Sequence, residues 1–461
     1  MLFSRTKMSS SSSLITPTPE NSIVLGCGGV VVDLLAAVAS YPKPDDKIRS
    51  TSFQVQGGGN AGNALTCVAR LGLNPRLISK VADDAQGRGI LEELEADGVN
   101  TSFIVVSPTG NSPFTYVIVD NETKTRTCIH TPGDPPMVPE DLSQSKLESA
   151  LDGAKVAYFD VRLHETALVI AKEDAAAAAK FQFEIIQLTF IILNAYSKAH
   201  LLTKNERKRR VEAESVQATR RNIPILVDAE KKRDGLDELL NLATYVVCSE
   251  KFPQARFVWT EASSTPKALL SMLLKLPKVK FVIVTLGEDG CIMLERSFSK
   301  ASDLKEMYID EVVESLKQKT PNDYATPSCV SSSVIMLKAD GVGAVCGRLH
   351  VGTAEKIPPS EIVDTTGAGD AFIGAVLYGI LYVWKCLQKG CCHFLQKWQD
   401  VAVELWELVQ VYHVTLILVF HHFCMRVPNL LGWRHESCRR MRIQMVLYTP
   451  ITHPAPSWDF K

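Results

Sequence analysis

What this sequence lacks first is a surplus of charge. Across 461 residues, 51 acidic side chains stand against 50 basic ones, a formal net charge of −1. No global field draws the chain to nucleic acid or to an anionic membrane surface. It also lacks a disulfide framework. Twelve cysteines are present, but Cys386, Cys391, Cys392, Cys424 and Cys438 crowd together after residue 380 and the rest are scattered singly. With no secretory signal, that usage indicates a reducing compartment. No apolar run is long enough to cross about 30 Å of hydrocarbon; FEIIQLTFIIL (183–193) and VTLILVF (414–420) both fall short. Acid is missing from the N-terminus as well. No Asp or Glu precedes Glu20, while the serine-rich MLFSRTKMSSSSSLITPTPENS carries Arg5 and Lys7. That composition suits an organelle transit peptide and hence a chloroplast protein. It equally suits a disordered leader on a cytoplasmic one, with translation starting at Met8.

What is present is an alternating pattern. The hydrophobic fraction of 46% is ample for a packed core, in one large domain or two or three small ones. IVLGCGGVVV (23–32) reads as a buried strand ending in glycines, 61–72 as a helix, LNPRLISKV (73–81) as a strand and 85–97 as a helix. Further buried strands are expected at VAYFDV (156–161), IPILVDA (223–229), TYVVCS (244–249) and FVIVTLG (281–287). Such alternation implies an α/β fold, doubly wound, with a mostly parallel central sheet and helices on both faces. STSFQVQ (50–56), FTYVIVD (114–120) and RTCIHT (126–131) alternate side chains and would form a small separate sheet with one apolar face, lying over the main sheet as a lid.

Two stretches break the rhythm. Residues 174–219 join an alanine run, an apolar run and a basic cluster, Lys204-Asn205-Glu206-Arg207-Lys208-Arg209-Arg210. This is long for a crossover connection. No interleaved aromatics accompany the charge, so it reads as a solvated face or an inserted segment rather than a nucleic-acid patch. Residues 300–340 read as a polar, mixed loop.

The most informative stretch is EIVDTTGAGDAFIGA (361–375). Apolar residues at helical spacing follow Asp370, so the run sits at a helix N-terminus. Backbone N–H groups there lack intrahelical partners and the helix dipole is positive. Glycines let that backbone approach an anion closely. Negative charge developing on a transferring phosphoryl group would be stabilised there, and the carboxylate of Asp370 would accept a proton from an attacking hydroxyl. On the residues alone, Asp33 reads as a strand-end turn residue and Asn63 as a helix N-terminal cap, by about two to one over a ligand for a hydroxyl.

DTTGAGDAFIGA resembles the second signature of the ribokinase-like (PfkB) carbohydrate kinases. GGGNAGNALTCVARLGLNPRLISKVADDAQGRGILEELEADGV (57–99) resembles the first. The resemblance covers roughly 23–172 and 220–380. It implies a ribokinase-like fold with a small β lid, and ATP-dependent, Mg²⁺-assisted phosphorylation of a sugar-like alcohol. Carried over position by position, it implies Asp370 as catalytic base and the backbone of Gly367, Ala368 and Gly369 as an anion hole. Asp33, Gly58, Gly59, Asn60 and Asn63 become sugar-binding positions, and Thr285, Gly287, Gly290 and Thr366 parts of the nucleotide site. It also implies a monovalent-cation site, for K⁺, beside Asp364. YPKPDDKIR (41–49) followed by GGNAGN leans toward ketohexokinase-like members, since ribokinases tend to carry GGKGAN. The family's Asn-x-x-Glu motif is replaced here by Ser249-Glu250-Lys251-Phe252, a departure that ketohexokinases share and that leaves the Mg²⁺ shell undefined.

After Ile380 the resemblance stops. LYVWKCLQKGCCHFLQKWQDVAVELWELVQVYHVTLILVFHHFC gains tryptophans, cysteines and histidines without a Cys-x-x-Cys or His-x₃-His ladder. Shifted by two nucleotides, the fixed tryptophan junctions give Glu at Trp384-Lys385, Ala at Trp398-Gln399 and Gly at Trp406-Glu407. The shifted frame permits a family-like ending that contains GALGARSGLP. The expected organisation is therefore a leader or transit peptide over 1–22, a kinase domain over 23–380 with an atypical insertion at 174–219, and an out-of-frame tail over 381–461. In the family the missing segment borders the adenine pocket, so weak or absent activity is expected of this chain. The expected acceptor is a furanose sugar, a ketohexose or ribose, with no nucleic-acid or membrane partner and a homodimer pairing through the lid. The competing readings are a nucleoside kinase of the same fold and a non-catalytic interaction subunit.

Overall fold

β-Branched and aliphatic residues dominate the segments that pair as strands. The computed structural model describes residues 22–123, 125–174, 223–250, 252, 262–298, 304–320, 328–354 and 367–388, with side chains of the last helix to Leu381. The leader, most of the 174–219 segment and the tail beyond 388 lie outside the described residues. In chain order the strands are β1 (Ile23–Cys27), β2 (Val31–Val38), β3 (Ser52–Gly58), β4 (Asn74–Ile78), β5 (Lys80–Ala82), β6 (Val105–Ser107), β7 (Phe114–Asp120), β8 (Thr125–Thr131) and β9 (Ala154–Phe159). β10 (Ile225–Ala229), β11 (Tyr245–Ser249), β12 (Phe281–Thr285), β13 (Cys291–Arg296), β14 (Glu306–Tyr308), β15 (Cys329–Ser331), β16 (Ile335–Ala339) and β17 (Gly343–Gly352) follow. The helices are α1 (Asn60–Arg70), α2 (Ala85–Ala96), α3 (Gln144–Leu151), α4 (164–174), α5 (Leu236–Leu242), α6 (Thr265–Lys275), α7 (Ile309–Lys317) and α8 (Ala368–Gln388).

The main sheet runs β4-β1-β9-β10-β11-β12 in parallel, then turns antiparallel through β13, β17 and β16, with β14 at the far edge and β15 beside β17. Both faces are covered, as parallel sheets require. Leu25, Phe159, Val227 and Val246 point into a layer shared with α3 to α7, and Val24, Tyr158, Leu226 and Val247 into the layer holding α1 and α8. The period-2 alternation of each strand thus feeds two apolar cores. From β1 the chain crosses one way to β4 and later enters β9 on the other side of β1. That is a topological switch point, the place where open α/β sheets leave a crevice beyond the carboxyl ends of their strands.

A second sheet, β3-β2-β7-β8, is the lid. Its register places Gln56, Asp33, Thr115 and His130 side by side in one row, and Val55, Leu34, Tyr116 and Ile129 in the next. Successive rows face opposite sides. The apolar row is the outward one, with Val55, Tyr116 and Ile129 all at least half exposed, so the face turned toward the crevice is the polar one.

Three sequence expectations are corrected. Residues 23–32 are not one strand: the chain leaves the main sheet at Gly28 and Gly29 and re-forms as β2 in the lid, so Asp33 belongs to the lid. Space forces the break, because a Cβ on Gly28 would sit 2.3 Å from the Asp160 carboxylate. Residues 73–81 likewise divide at Ser79, whose hydroxyl donates to the Gly28 carbonyl (2.7 Å); β5 pairs with β6 in a separate small sheet. Residues 300–340 contain β14, α7, β15 and β16 rather than only loop. α7 carries Ile309, Val312, Val313 and Leu316 at i, i+3, i+4 and i+7, all buried in the core.

Candidate functional site at the sheet switch point

Two helix N-termini meet at the crevice. α1 begins directly after lid strand β3. Its N-cap, Gly59, has φ +89°, and a Cβ there would lie 2.5 Å from the Gly29 carbonyl oxygen. Only glycine satisfies both demands. α8 begins at Ala368 after Gly367, whose φ is +77°. The helices pack so closely that Gly374 has no room for a side chain: its Cβ would be 2.7 Å from Cys67 Sγ and 2.9 Å from the Ala64 carbonyl oxygen. This crossing fixes the spacing of the two helix starts.

Across that spacing Asn63 Nδ2 donates to Asp370 Oδ2 at 2.8 Å. A Cβ on Gly367 would stand 3.4 Å from the same amide nitrogen. Gly367, Ala368 and Gly369 therefore lie with Asp370 and Asn63 at one point. Asn60, the first residue of α1, is buried; its Oδ1 accepts from Arg162 Nη2 (3.1 Å) and Nε (3.3 Å), and its side chain hydrogen-bonds Asp228. Asp33 is buried in the lid, its Oδ2 2.3 Å from where a Cβ on Gly58 would be.

Sequence reasoning did not single out Asp160, Arg162, Asp228, Glu230 or Arg233. Asp160 follows β9 and ties two loops together, accepting from Gly29 N (2.7 Å) and Arg162 N (2.9 Å). Asp228 lies near the end of β10, buried. The available signal was that VAYFDV and IPILVDA each carry an Asp at a strand's carboxyl end. In a parallel sheet those ends share one edge.

The carboxylates raise one another. Burial, reinforced by Glu230 and Asp160, pushes Asp370 up to about 7, against the opposing hydrogen bond from Asn63 and the charge of Arg162. Burial pushes Asp228 well above the carboxylate range, helped by Glu230, Asp370 and Asp160 and opposed by Asn60. Burial also raises Asp160, against its two backbone donors. A carboxylate poised near neutrality beside a helix N-terminus can accept a proton while the helix start holds an anion.

Thr285, Gly287 and Gly290 lie elsewhere on the same edge. Thr285 ends β12, four strands along from β1, about 19 Å away at the usual strand spacing. Gly287 and Gly290 bracket the tight turn into β13, where Gly290 (φ +86°) lies against the Gly352 carbonyl. Thr366 and Asp364 fall outside the described residues. Among the described residues no three His, Cys, Asp or Glu side chains gather to hold a metal ion, and no helix is long and apolar enough to cross a membrane.

The model of the pfkB family carbohydrate kinases matches residues 24–208 and 328–390. The ribokinase of Bacillus subtilis (strain 168) is 36% identical over 77 residues, 17% of this chain and 26% of that protein. Mouse ribokinase is 21% identical over 365 residues, 79% of this chain and 83% of that one. Mouse ketohexokinase is 30% identical over 110 residues, 24% of this chain and 37% of that one. The chain thus spans about a quarter of the bacterial relative's length and most of the mouse ribokinase's. Among solved structures, ribokinase from Giardia lamblia superposes with a TM-score of 0.53 at 14% identity, covering 92% of this chain and 100% of that one.

Proposed function

The chain belongs to the pfkB family of carbohydrate kinases, and from that premise we propose that it transfers the γ-phosphoryl group of ATP to a hydroxyl of a furanose sugar, a ketohexose or ribose. The observation that carries this reading is the Asn63–Asp370 hydrogen bond, which joins a base and a polar ligand at the starts of two helices beneath a lid. The acceptor sugar lies between the lid and α1. Asp33, Asn60 and Asn63 supply acceptors and donors in the senses that sugar hydroxyls need, and Gly58 and Gly59 let backbone and sugar approach. Asp370 takes the hydroxyl proton as the new P–O bond forms, and the N–H groups of Gly367, Ala368 and Gly369 face the phosphate charge. The triphosphate runs along the strand edge toward Thr285, Gly287 and Gly290.

A protein-only Mg²⁺ cage does not fit these residues, since among those described no three acidic side chains are placed to hold one metal ion together. In this reading the ion would be held by phosphate oxygens and water. The outward row of Val55, Tyr116 and Ile129 is the face through which two copies would pair; light scattering of the full chain against Tyr116→Glu tests it. The kinase reading is tested by radiolabel transfer from ATP to ribose, fructose, other furanose sugars and nucleosides. The assay uses the 461-residue chain beside a counterpart carrying the alternative reading frame after residue 380. Labelled sugar, absent with Asp370→Asn, is the expected result. No labelled product from any acceptor with either protein overturns the reading, and labelled nucleoside alone replaces the sugar.

A further inference from the structure

On the crevice face of the lid, Asp33, Thr115 and His130 stand side by side in one row across β2, β7 and β8. The next row away from the glycine joint centres on Leu35 and Val117, both buried. Asp33 and Thr115 are buried as well, and a buried hydroxyl is costly unless hydrogen-bonded. Thr115 Oγ1 meets His130 Nδ1 at 3.2 Å. That contact engages the ring nitrogen nearer the backbone and leaves Nε2, the farther one, presented to the crevice. Partial burial, then the charges of Arg162 and Arg233, hold His130 below its ordinary range. Near pH 7 the ring is therefore neutral, with one N–H and one lone pair, and suits an uncharged hydroxyl.

The two borders of the lid differ. On the β3 side the backbone is tied to α2: Gly57 N donates to Glu93 Oε2 at 2.7 Å, and a Cβ on Gly57 would stand 2.9 Å from the carboxyl carbon of Glu93. β8 is the opposite border. An acceptor that begins at Asp370 and Asn63 and passes Asp33 therefore has its remaining length toward Thr115 and His130, away from α2. Two strand spacings separate β2 from β8, about 10 Å. A single furanose ring leaves part of that length unfilled.

The chemistry of the candidate acceptors decides what fills it. Ribofuranose has one exocyclic hydroxymethyl group, and if that is the group presented to Asp370 nothing projects from the other side of the ring oxygen. A ketohexofuranose has two, one on each carbon that flanks the ring oxygen. We propose that His130, oriented by Thr115, hydrogen-bonds the second hydroxymethyl group of a ketohexofuranose and so selects ketohexose over ribose, a role that rests on the kinase reading and narrows it. Asp33 holds the ring beside the glycine joint, and His130 measures its length.

The test compares His130→Asn with His130→Gln in the full chain, with fructose and ribose as probes. The asparagine amide can keep the contact to Thr115 but does not extend to the position of Nε2; the glutamine amide does. Calorimetric titration without nucleotide is expected to show fructose bound about tenfold more tightly than ribose by the parent. His130→Asn is expected to lose that preference, and His130→Gln to recover it to within about threefold, with melting temperatures unchanged because β8 is a border strand. Where the chain transfers phosphate, the same ratio should appear in KM. A parent that prefers ribose or binds neither sugar overturns the proposal. So do a preference unmoved in His130→Asn, an equal loss with both sugars, which marks a purely structural role in the lid, and a loss in His130→Gln as great as in His130→Asn. If fructose binds through His130 but no acceptor is phosphorylated, the kinase reading fails and the selection stands.

Discussion

Asp370 carries a pH signature. The base proposed for the transfer must be ionised to work, and burial pushes Asp370 up to about 7. kcat/KM is expected to be flat above that pH and to fall about tenfold per unit below it, as a pH–rate profile with a neutral sugar would show. The same shift acts on stability. In the unfolded chain the carboxyl ionises near its ordinary 3.8 and in the folded chain at about 7. The folded state binds more protons between those values, so this group's contribution declines as pH rises from the lower to the upper. Asp370→Asn is therefore expected to stop turnover yet raise stability by about 2 kcal/mol above neutrality, with no gain below pH ~4; melting curves at both ends check it. Tyr158 offers a comparison. Its hydroxyl is fully buried without a hydrogen-bond partner among the described residues, so Tyr158→Phe is expected to be neutral or stabilising by about 1 kcal/mol in denaturant melts. Asp370 could be singled out because the bare glycines before it have few other uses, whereas Asn63 alone reads as a helix cap and was singled out only through the resemblance of its GGGNAGN stretch. Asp160, Arg162, Asp228 and Arg233 were not, because an acid or base beyond a strand looks like any turn residue until parallel pairing brings the strand ends together.

The crossing of α1 and α8 sets the geometry on which those residues depend. Gly374→Ala would press a methyl group against Cys67 and the Ala64 carbonyl. Overpacking of this kind is expected to cost about 1–3 kcal/mol. Because the displaced helix carries the proposed base, turnover should fall further than stability predicts, by up to about 100-fold; melts and kinetics on one preparation separate the two. The parallel core strands were readable from their unbroken Val, Ile and Leu runs, and β3, β7 and β8 of the lid from their alternation. β2 was hidden because Val30 to Val32 prolong the apolar run of β1, so that only a steric demand at Gly28 marks the break. β14 and β15, at three residues each, are too short to show a period. The buried stripe of α7 was readable in principle and was masked by the polar residues around it.

At the scale of the whole molecule, β9 and β10 are neighbours although residues 160–224 separate them. A crossover of this type needs only about a dozen residues, and loop closure costs grow with the logarithm of length. A chain lacking 174–219 is expected to keep the sheet and gain about 1 kcal/mol, read from melts. Transcript sequencing across codons 165–225 and 375–425 is expected to show that segment removed and the GALGARSGLP frame restored; a transcript matching the present chain throughout would overturn the frameshift reading. The passage from β1 into β2 has a mechanical consequence. Ile23–Cys27 lies inside the main sheet and Val31–Val38 inside the lid, with only 28–30 between them. The lid therefore cannot melt as a separate unit from its middle outward. It frays from β8, the border strand farthest from the glycine joint, and amide exchange should advance from β8 through β7 toward β2. The crevice thus opens first on the side of His130, and a sugar would enter past that residue.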